Sequence, residues 1–324
     1  MKWLIGLGVV VAIAGGAFWY FVADGATPTQ ADGEFDIAAY RALVANDAPE
    51  TLPQEVRVEF VGESAAPSFA AVAGDFSGDK TFAYVSFQIV APDGATIIDG
   101  AVDAETLSVM SDGSGAFDAA AYQRVLDAET QAARVMITHE HLDHVMAIAR
   151  HPQPAAIAAQ LRLTQSQLDG LPEHAPGGVL GPEIAGITTI DISAPTRIAP
   201  GIVAVAKPGH APGEIAIYVR TTSEREYLFI GDIAWLMGAI ERTSSRPRFI
   251  RFIMPGVDPD RPAVLRQIRA LHDLRTAEPD LVIVPAHDDE YLRGLVGSGA
   301  LIEQFVVRAA ETPAPSGESP PASP

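Results

Sequence analysis

The stretch VMITHEHLDHVMAIARH, Val135 to His151, decides how this chain is understood. Three histidines and an aspartate fall within the six residues His139–His144, directly after an apolar run, in a chain with eight histidines. A solvated polar turn is one reading and a metal site the other. On an extended segment alternate side chains share a side, so His139 and His141 can present both imidazoles in one direction. Asp143 and His144 then fall at the start of the helical segment HVMAIARH, where a reversal of the chain directs them to a second centre.

The rest of the chain favours the metal site. RVMIT runs into this cluster, IVAVAKPG ends in His210, EYLFIG in Asp232 and DLVIVPA in His287. Polar residues commonly mark the end of one strand. Four strands that use only His and Asp, taking five of the eight histidines, are a different matter. Where such strands share a sheet and direction, their ends line one edge, and α/β proteins place their chemistry there. Seven N/O ligands exceed the needs of one tetrahedral zinc. They suffice for two metals with a shared carboxylate and open positions.

Around these motifs the chain alternates between strand-like and helical runs. TFAYVSFQIV and ATIIDG pattern as strands joined by the turn APDG. FDAAAYQRVLDAETQAA and RPAVLRQIRALHDLR carry helical spacing. EIAIYVR is a further strand, and GALIEQFVVRAA is expected to be a last helix. This mixed order indicates a layered α/β protein.

The 324 residues carry a formal charge of −19 and no cysteine. So negative a surface repels phosphate backbones and argues against nucleic acid as a partner. Without cysteine there is no disulfide, thiolate ligand or thiol nucleophile. Trp3 to Val22 contains no charge; as a helix it rises about 30 Å, the thickness of a hydrocarbon core. Trp3, Trp19 and Tyr20 near its ends suit the membrane interface, and Lys2 places the body outside the cytoplasm. The competing reading is a cleaved signal peptide, with AIA at Ala12–Ala14 as the cleavage site and a secreted body. The expected organisation is an anchor or signal over residues 1–23, a linker over 24–33, one catalytic domain over 34–310, and a disordered Pro/Ser-rich tail over 311–324.

HEHLDH resembles the His-x-His-x-Asp-His signature of the metallo-β-lactamase-fold hydrolases. PGHAPGE, IGD and PAHD are similar to that family's later motifs, in the same order, over about Phe82 to Phe305. The resemblance implies an αββα four-layer sandwich with the metals at one edge between two sheets. It implies that His139, His141 and His210 hold one metal, that Asp143, His144 and His287 hold the other, and that Asp232 bridges them. Asp99, in IIDG, would brace the loop from behind the ligands. The cofactors implied are two divalent ions, zinc first, with iron, manganese, cobalt or nickel as alternatives. Two departures stand out. Val145, Met146 and Ala147 replace the glycines that usually follow the first motif, an exchange expected to narrow one wall of the pocket. His210-Ala211-Pro212-Gly213 lacks the usual threonine.

Two metals sharing a water bring its pKa towards 7, and the resulting bridging hydroxide attacks an electrophilic carbon or phosphorus. Asp232 or Asp143 then carries the proton to the leaving group. The metal site alone serves several small-molecule substrates. The look of the motifs is nearest to acyl-homoserine-lactone lactonases, which points to a carboxylic ester or lactone. A glyoxalase II-like thioesterase, a phosphodiesterase and a β-lactamase are the alternatives, and a membrane-tethered binding protein with a vestigial site is the non-enzymatic one. Trp235 and Met237 are expected to line an apolar pocket. Arg246 and Arg248, with Arg242 and Arg251, either recognise an anionic group there or pair with surface acids. Of the histidines without a matching motif, His174 is expected in a loop, with a place at the pocket border as the lesser reading, and His272 is expected to be a surface or packing residue.

Overall fold

The strands that deliver the motifs are apolar on both faces, and the structure shows why. In Ile202–Ala206, Val203 and Val205 pack outward while Ile202 and Ala204 pack inward. In Ile215–Arg220 the alternation is the same, with Ala216 and Tyr218 outward and Ile215, Ile217 and Val219 inward. Strands covered on both sides read as continuous hydrophobic runs.

The computed structural model describes residues 2–308; the Pro/Ser-rich tail expected over 311–324 lies outside the described residues. Among the described residues, eleven strands form two sheets. In chain order they are β1 Glu55–Pro67, β2 Asp79–Val90, β3 Thr96–Ile98, β4 Ala116–Phe117, β5 Arg134–Met136, β6 Thr196–Ala199, β7 Ile202–Ala206, β8 Ile215–Arg220, β9 Glu226–Phe229, β10 Leu281–Val284 and β11 Ile302–Glu303. One sheet runs β11-β1-β2-β3-β5, with β4 paired to β1; the other runs β10-β9-β8-β7-β6.

The inner faces of both sheets meet in one core, where Phe87 and Phe229 stand edge to face at 4.9 Å. Helices Ala119–Gln131 and Leu142–Ala149 cover the outside of the first sheet. Helices Ile37–Val44 and Arg261–Ala277 cover the second. Asp118 and Asp260 start two of these helices by accepting backbone N–H bonds, a favourable N-cap arrangement. The layers are therefore helix, sheet, sheet, helix.

Three strand directions matter for the site. β3 and β5 are parallel, β9 and β10 are parallel, and β7 is antiparallel to β8, which is antiparallel to β9. Hence β7, β9 and β10 point the same way within one sheet, and β5 contributes from the other. A single sheet edge does not hold all the motifs; the seam between two sheets does.

The expected last helix over GALIEQFVVRAA is not found among its described residues. Gly299 (φ 71°) closes the preceding helix, Asp289–Gly297, and Ile302 and Glu303 pair in parallel with Arg57 and Val58. Phe305 then buries its ring, and its N–H donates to Glu59. β-branched and aromatic residues beside an open sheet edge favour pairing over a helix.

At the other end, the apolar helix Lys2–Phe18 continues into a wider π turn, Trp19–Ala23. It is the one helix among the described residues long and apolar enough to cross a membrane. The chain leaving it is built onto the body. Phe249 N–H donates to Phe21 O, Ser245 N–H to Gly25 O, and Thr27 N–H to Thr243 O.

Candidate metal centre

Sharp turns at the strand ends aim the ligands into the seam. After β5 the chain bends at Thr138, His141 caps the helix Leu142–Ala149, and Asp143 and His144 occupy its first turn. After β9, Gly231 takes φ 48° and carries the chain straight into Asp232. A Cβ there would stand 2.4 Å from Glu214 Oε1 and 2.7 Å from Thr138 Cβ, so only glycine fits.

Two groups of ligand atoms result. His139, His141 and His210 form one, and Asp143, His144, Asp232 and His287 the other, with each group's atoms within 4.8 Å of one another. His141 Nδ1 lies 2.9 Å from His210 Nε2, and His144 Nε2 lies 3.3 Å from His287 Nε2. Asp232 stands between the groups. Its Oδ2 is 3.4 Å from His210 Nε2 and 3.9 Å from His139 Nε2, while its Oδ1 is 3.0 Å from His287 Nε2 and 3.4 Å from His144 Nε2. Asp143 Oδ2 closes the second group, 3.4 Å from His287 Nε2.

The donor set fits divalent metals. Four of the five histidines engage Nδ1 behind the site, which leaves Nε2 facing inward. His144 Nδ1 pairs with Asp99 at 3.0 Å, His210 Nδ1 with Asp258 at 3.0 Å, and His287 Nδ1 with Ala83 O at 2.8 Å. His139 Nδ1 stands 3.2 Å from Thr138 Oγ1 and 3.5 Å from Glu214 Oε2. Such partners fix tautomer and ring orientation in metal-binding histidines. His139 Nε2 and Asp232 Oδ1 are buried with no hydrogen-bond partner, a costly arrangement unless a ligand completes it.

Electrostatics separates the two groups. Burial lowers the pKa of His139 far below its ordinary value, lowers that of His141 to about 2, and lowers that of His210, where Arg246 adds to the effect. These three are neutral at pH 7, the form that binds metal. For His144 and His287 burial again acts downward, but the carboxylates around them win and raise both. Burial would raise Asp232; His287 and His144 instead hold it well below the carboxylate range.

Asp99 sits at the end of β3 with φ 66°, and accepts from Thr138 N–H at 2.6 Å as well as pairing with His144. Trp235 is at the site: its Nε1–H donates to Asp232 Oδ2 at 2.6 Å. Met237 is buried, with its N–H donating to Asp288. The two arginines pair with carboxylates, Arg246 with Asp258 and Arg248 with Asp24. Arg246 is fully buried; it pairs with Asp258, donates to Asp232 O and stacks over Trp235 at 4.8 Å. Arg248 reaches the N-terminal segment, at Tyr20 O and Asp24. Val145, Met146 and Ala147 are buried in the helix rather than on a pocket wall, with Met146 N–H donating to Ala101 O. His174 sits against the metal loop, 2.9 Å from Glu140 O.

Sequence reasoning missed Asp258 and Glu214. Glu214 lies within the quoted PGHAPGE, four residues beyond a ligand, and that proximity was the available signal. Asp258 lies in a loop, GVDPD, with no periodicity around it.

The sequence matches no family model and no curated protein. Solved structures do match. A quorum-quenching N-acyl homoserine lactone lactonase aligns at TM-score 0.54 and 14% identity, over 76% of this chain and 96% of its own. A probable metal-dependent hydrolase from Staphylococcus aureus aligns at 0.53 and 13%, over 73% and 91%. A dizinc quorum-quenching lactonase in complex with a product aligns at 0.50 and 10%, over 72% and 88%. At these identities the likeness is one of fold. What these structures share with the chain is the metallo-β-lactamase fold.

Proposed function

We propose that the protein is a metallohydrolase that cleaves a carboxylic ester or lactone, held at the outer face of a membrane by its retained N-terminal helix. The observation that carries the hydrolase reading is Asp232, with one carboxylate oxygen turned to each ligand group. His139, His141 and His210 would hold one divalent ion, and Asp143, His144 and His287 the other. Such a pair supplies a water acidified towards neutrality and a Lewis acid for a carbonyl oxygen.

The chain's own residues supply the rest. Asp99, Asp258 and the Ala83 carbonyl lock three imidazoles in the tautomer that points Nε2 inward. Trp235 holds Asp232 in one orientation and covers it from water. Asp143, the more exposed of the two ligand carboxylates, is placed to take a proton and pass it to a leaving group. His141, Leu142 and Asp143 are only partly buried, which marks the side from which substrate arrives. The ester or lactone choice follows the lactonases among the structural neighbours.

Retention of the helix is supported by the apolar run, which continues past Ala14 to Val22. The hydrogen bonds that tie Tyr20, Phe21 and Asp24 to Arg248 and Phe249 fix the root of that helix on the body.

The test is a hydrolysis panel on the metal-replete full-length protein, spanning lactones, aryl esters, thioesters, β-lactams and phosphodiesters. Lactones or esters are expected to turn over fastest, and His141→Ala and Asp232→Ala to abolish that turnover in a folded protein. Preference for a phosphodiester, or full activity in both variants, overturns the reading.

A further inference from the structure

The root of the apolar helix adjoins a cavity of about 600 Å³ whose walls include Tyr20, Phe21, Arg248, Arg251, Phe252 and Arg261. Three of these are arginines in a chain of net charge −19. Arg248 stacks over Tyr20 at 4.2 Å and pairs with Asp24. Arg251 is exposed and makes no ion pair among the described residues. Arg261 is 6% exposed; its Nη1 donates to Arg246 O, while Nε and Nη2 are buried with no hydrogen-bond partner. Burial, with Arg248 and Arg246 nearby, outweighs the pull of Asp258 and lowers its pKa to about 10. Positive charge is gathered here beyond what the protein neutralises.

Around the cavity the surface is apolar. Phe252 and Ile253, in the short helix Ile250–Ile253, are 73% and 65% exposed, and Phe252 meets Phe21 edge-on at 5.9 Å. Phe76, 58% exposed, stacks on Phe18 at 5.9 Å, and Phe18 is the last residue of the apolar α-helix. These side chains continue the hydrophobic surface of the helix onto the body. A cluster of this kind beside a membrane helix marks an interface with lipid. The arginines among them match anionic headgroups.

We propose that this cavity seats the phosphate of an anionic phospholipid headgroup, with Phe76, Phe252 and Ile253 dipping into the interface beside the helix. The proposal rests on the helix being retained. A body of charge −19 is repelled by an anionic membrane surface unless positive groups face it, and this is the face where they do. The position beside the helix favours lipid phosphate over free phosphate, since only the former is concentrated in that plane.

The experiment is native mass spectrometry of the full-length protein in detergent, titrated separately with dioctanoyl phosphatidylglycerol, dioctanoyl phosphatidylcholine and inorganic phosphate. One phosphatidylglycerol per chain is expected, held at least about fivefold more tightly than phosphatidylcholine. Inorganic phosphate should neither bind detectably nor displace it. Arg251→Gln, at an exposed position away from the metal ligands, should lower phosphatidylglycerol affinity about fivefold with metal content unchanged. Equal binding of the two lipids, equal binding of inorganic phosphate, or no effect of Arg251→Gln overturns the headgroup site and leaves the anchor standing. A protein that purifies from cells without detergent, starting beyond Ala14, overturns anchor and site together.

Discussion

Behind His210, Asp258 occupies a place that the ligand motifs do not advertise. It accepts from His210 and is gripped by Arg246, and all three are buried. Replacing it with Asn keeps the shape but removes the charge that both neighbours answer. Metal affinity of Asp258→Asn is expected to fall about 10–100-fold, as read by competition with a chelator of known affinity; an unchanged affinity would mean that the pairing is only structural. Glu129 is the opposite case, a buried carboxyl with no hydrogen-bond partner and only His151 Nε2 nearby, at 4.0 Å. Burial raises its pKa well above the ordinary value. The folded state therefore holds a proton that the unfolded chain releases, and stability falls as pH rises above the unfolded pKa of about 4.3. Glu129→Gln should raise the melting temperature by a few degrees at pH 8 and by less at pH 5. Equal effects at both values would show that Glu129 does not titrate in this way.

At the scale of elements, the strand-to-turn junctions carry the site, and they were largely legible. Four apolar runs ending in His or Asp mark strands that stop at the seam between the sheets, where the structure brings those side chains together in two groups. What could not be read was that β5 belongs to one sheet and β7, β9 and β10 to the other, because sheet partnership depends on residues far apart in the chain. β1 was also missed: Glu59 and Glu63 interrupt its apolar pattern and a bulge between Phe60 and Gly62 shifts its phase. The C-terminal segment was misjudged for a related reason, since Ile302 and Phe305 serve a helix or an edge strand equally well until β1 offers its edge. Gly231 tests the junction idea. Gly231→Ala places a methyl group against Glu214 and Thr138. The chain turn before Asp232 must then open, and the variant should bind less metal and melt lower than the parent. Full metal content in that variant would show that the turn yields without cost.

For the whole molecule, buried polar groups join the candidate metal site to the root of the apolar helix. Asp232, Arg246, Arg261 and Asp258 form one buried polar connection from the ligands to the root of the apolar helix. Charge and length indicated an anchored, acidic body, while the close fit of residues 20–27 onto the body depends on loop geometry that carries no sequence period. The metals should also support the fold, since a ligand bound only by the native state stabilises it by mass action. Chelation is expected to lower the melting temperature reversibly, and an unaltered melt would separate metal from stability. The central claim is the dinuclear site, and its most direct test is elemental analysis of the purified full-length protein by inductively coupled plasma mass spectrometry. Two equivalents of divalent metal per chain are expected, of which about one is kept when Asp143 and His287 are both changed to Ala. A protein that retains no metal after purification in metal-replete buffer would contradict it.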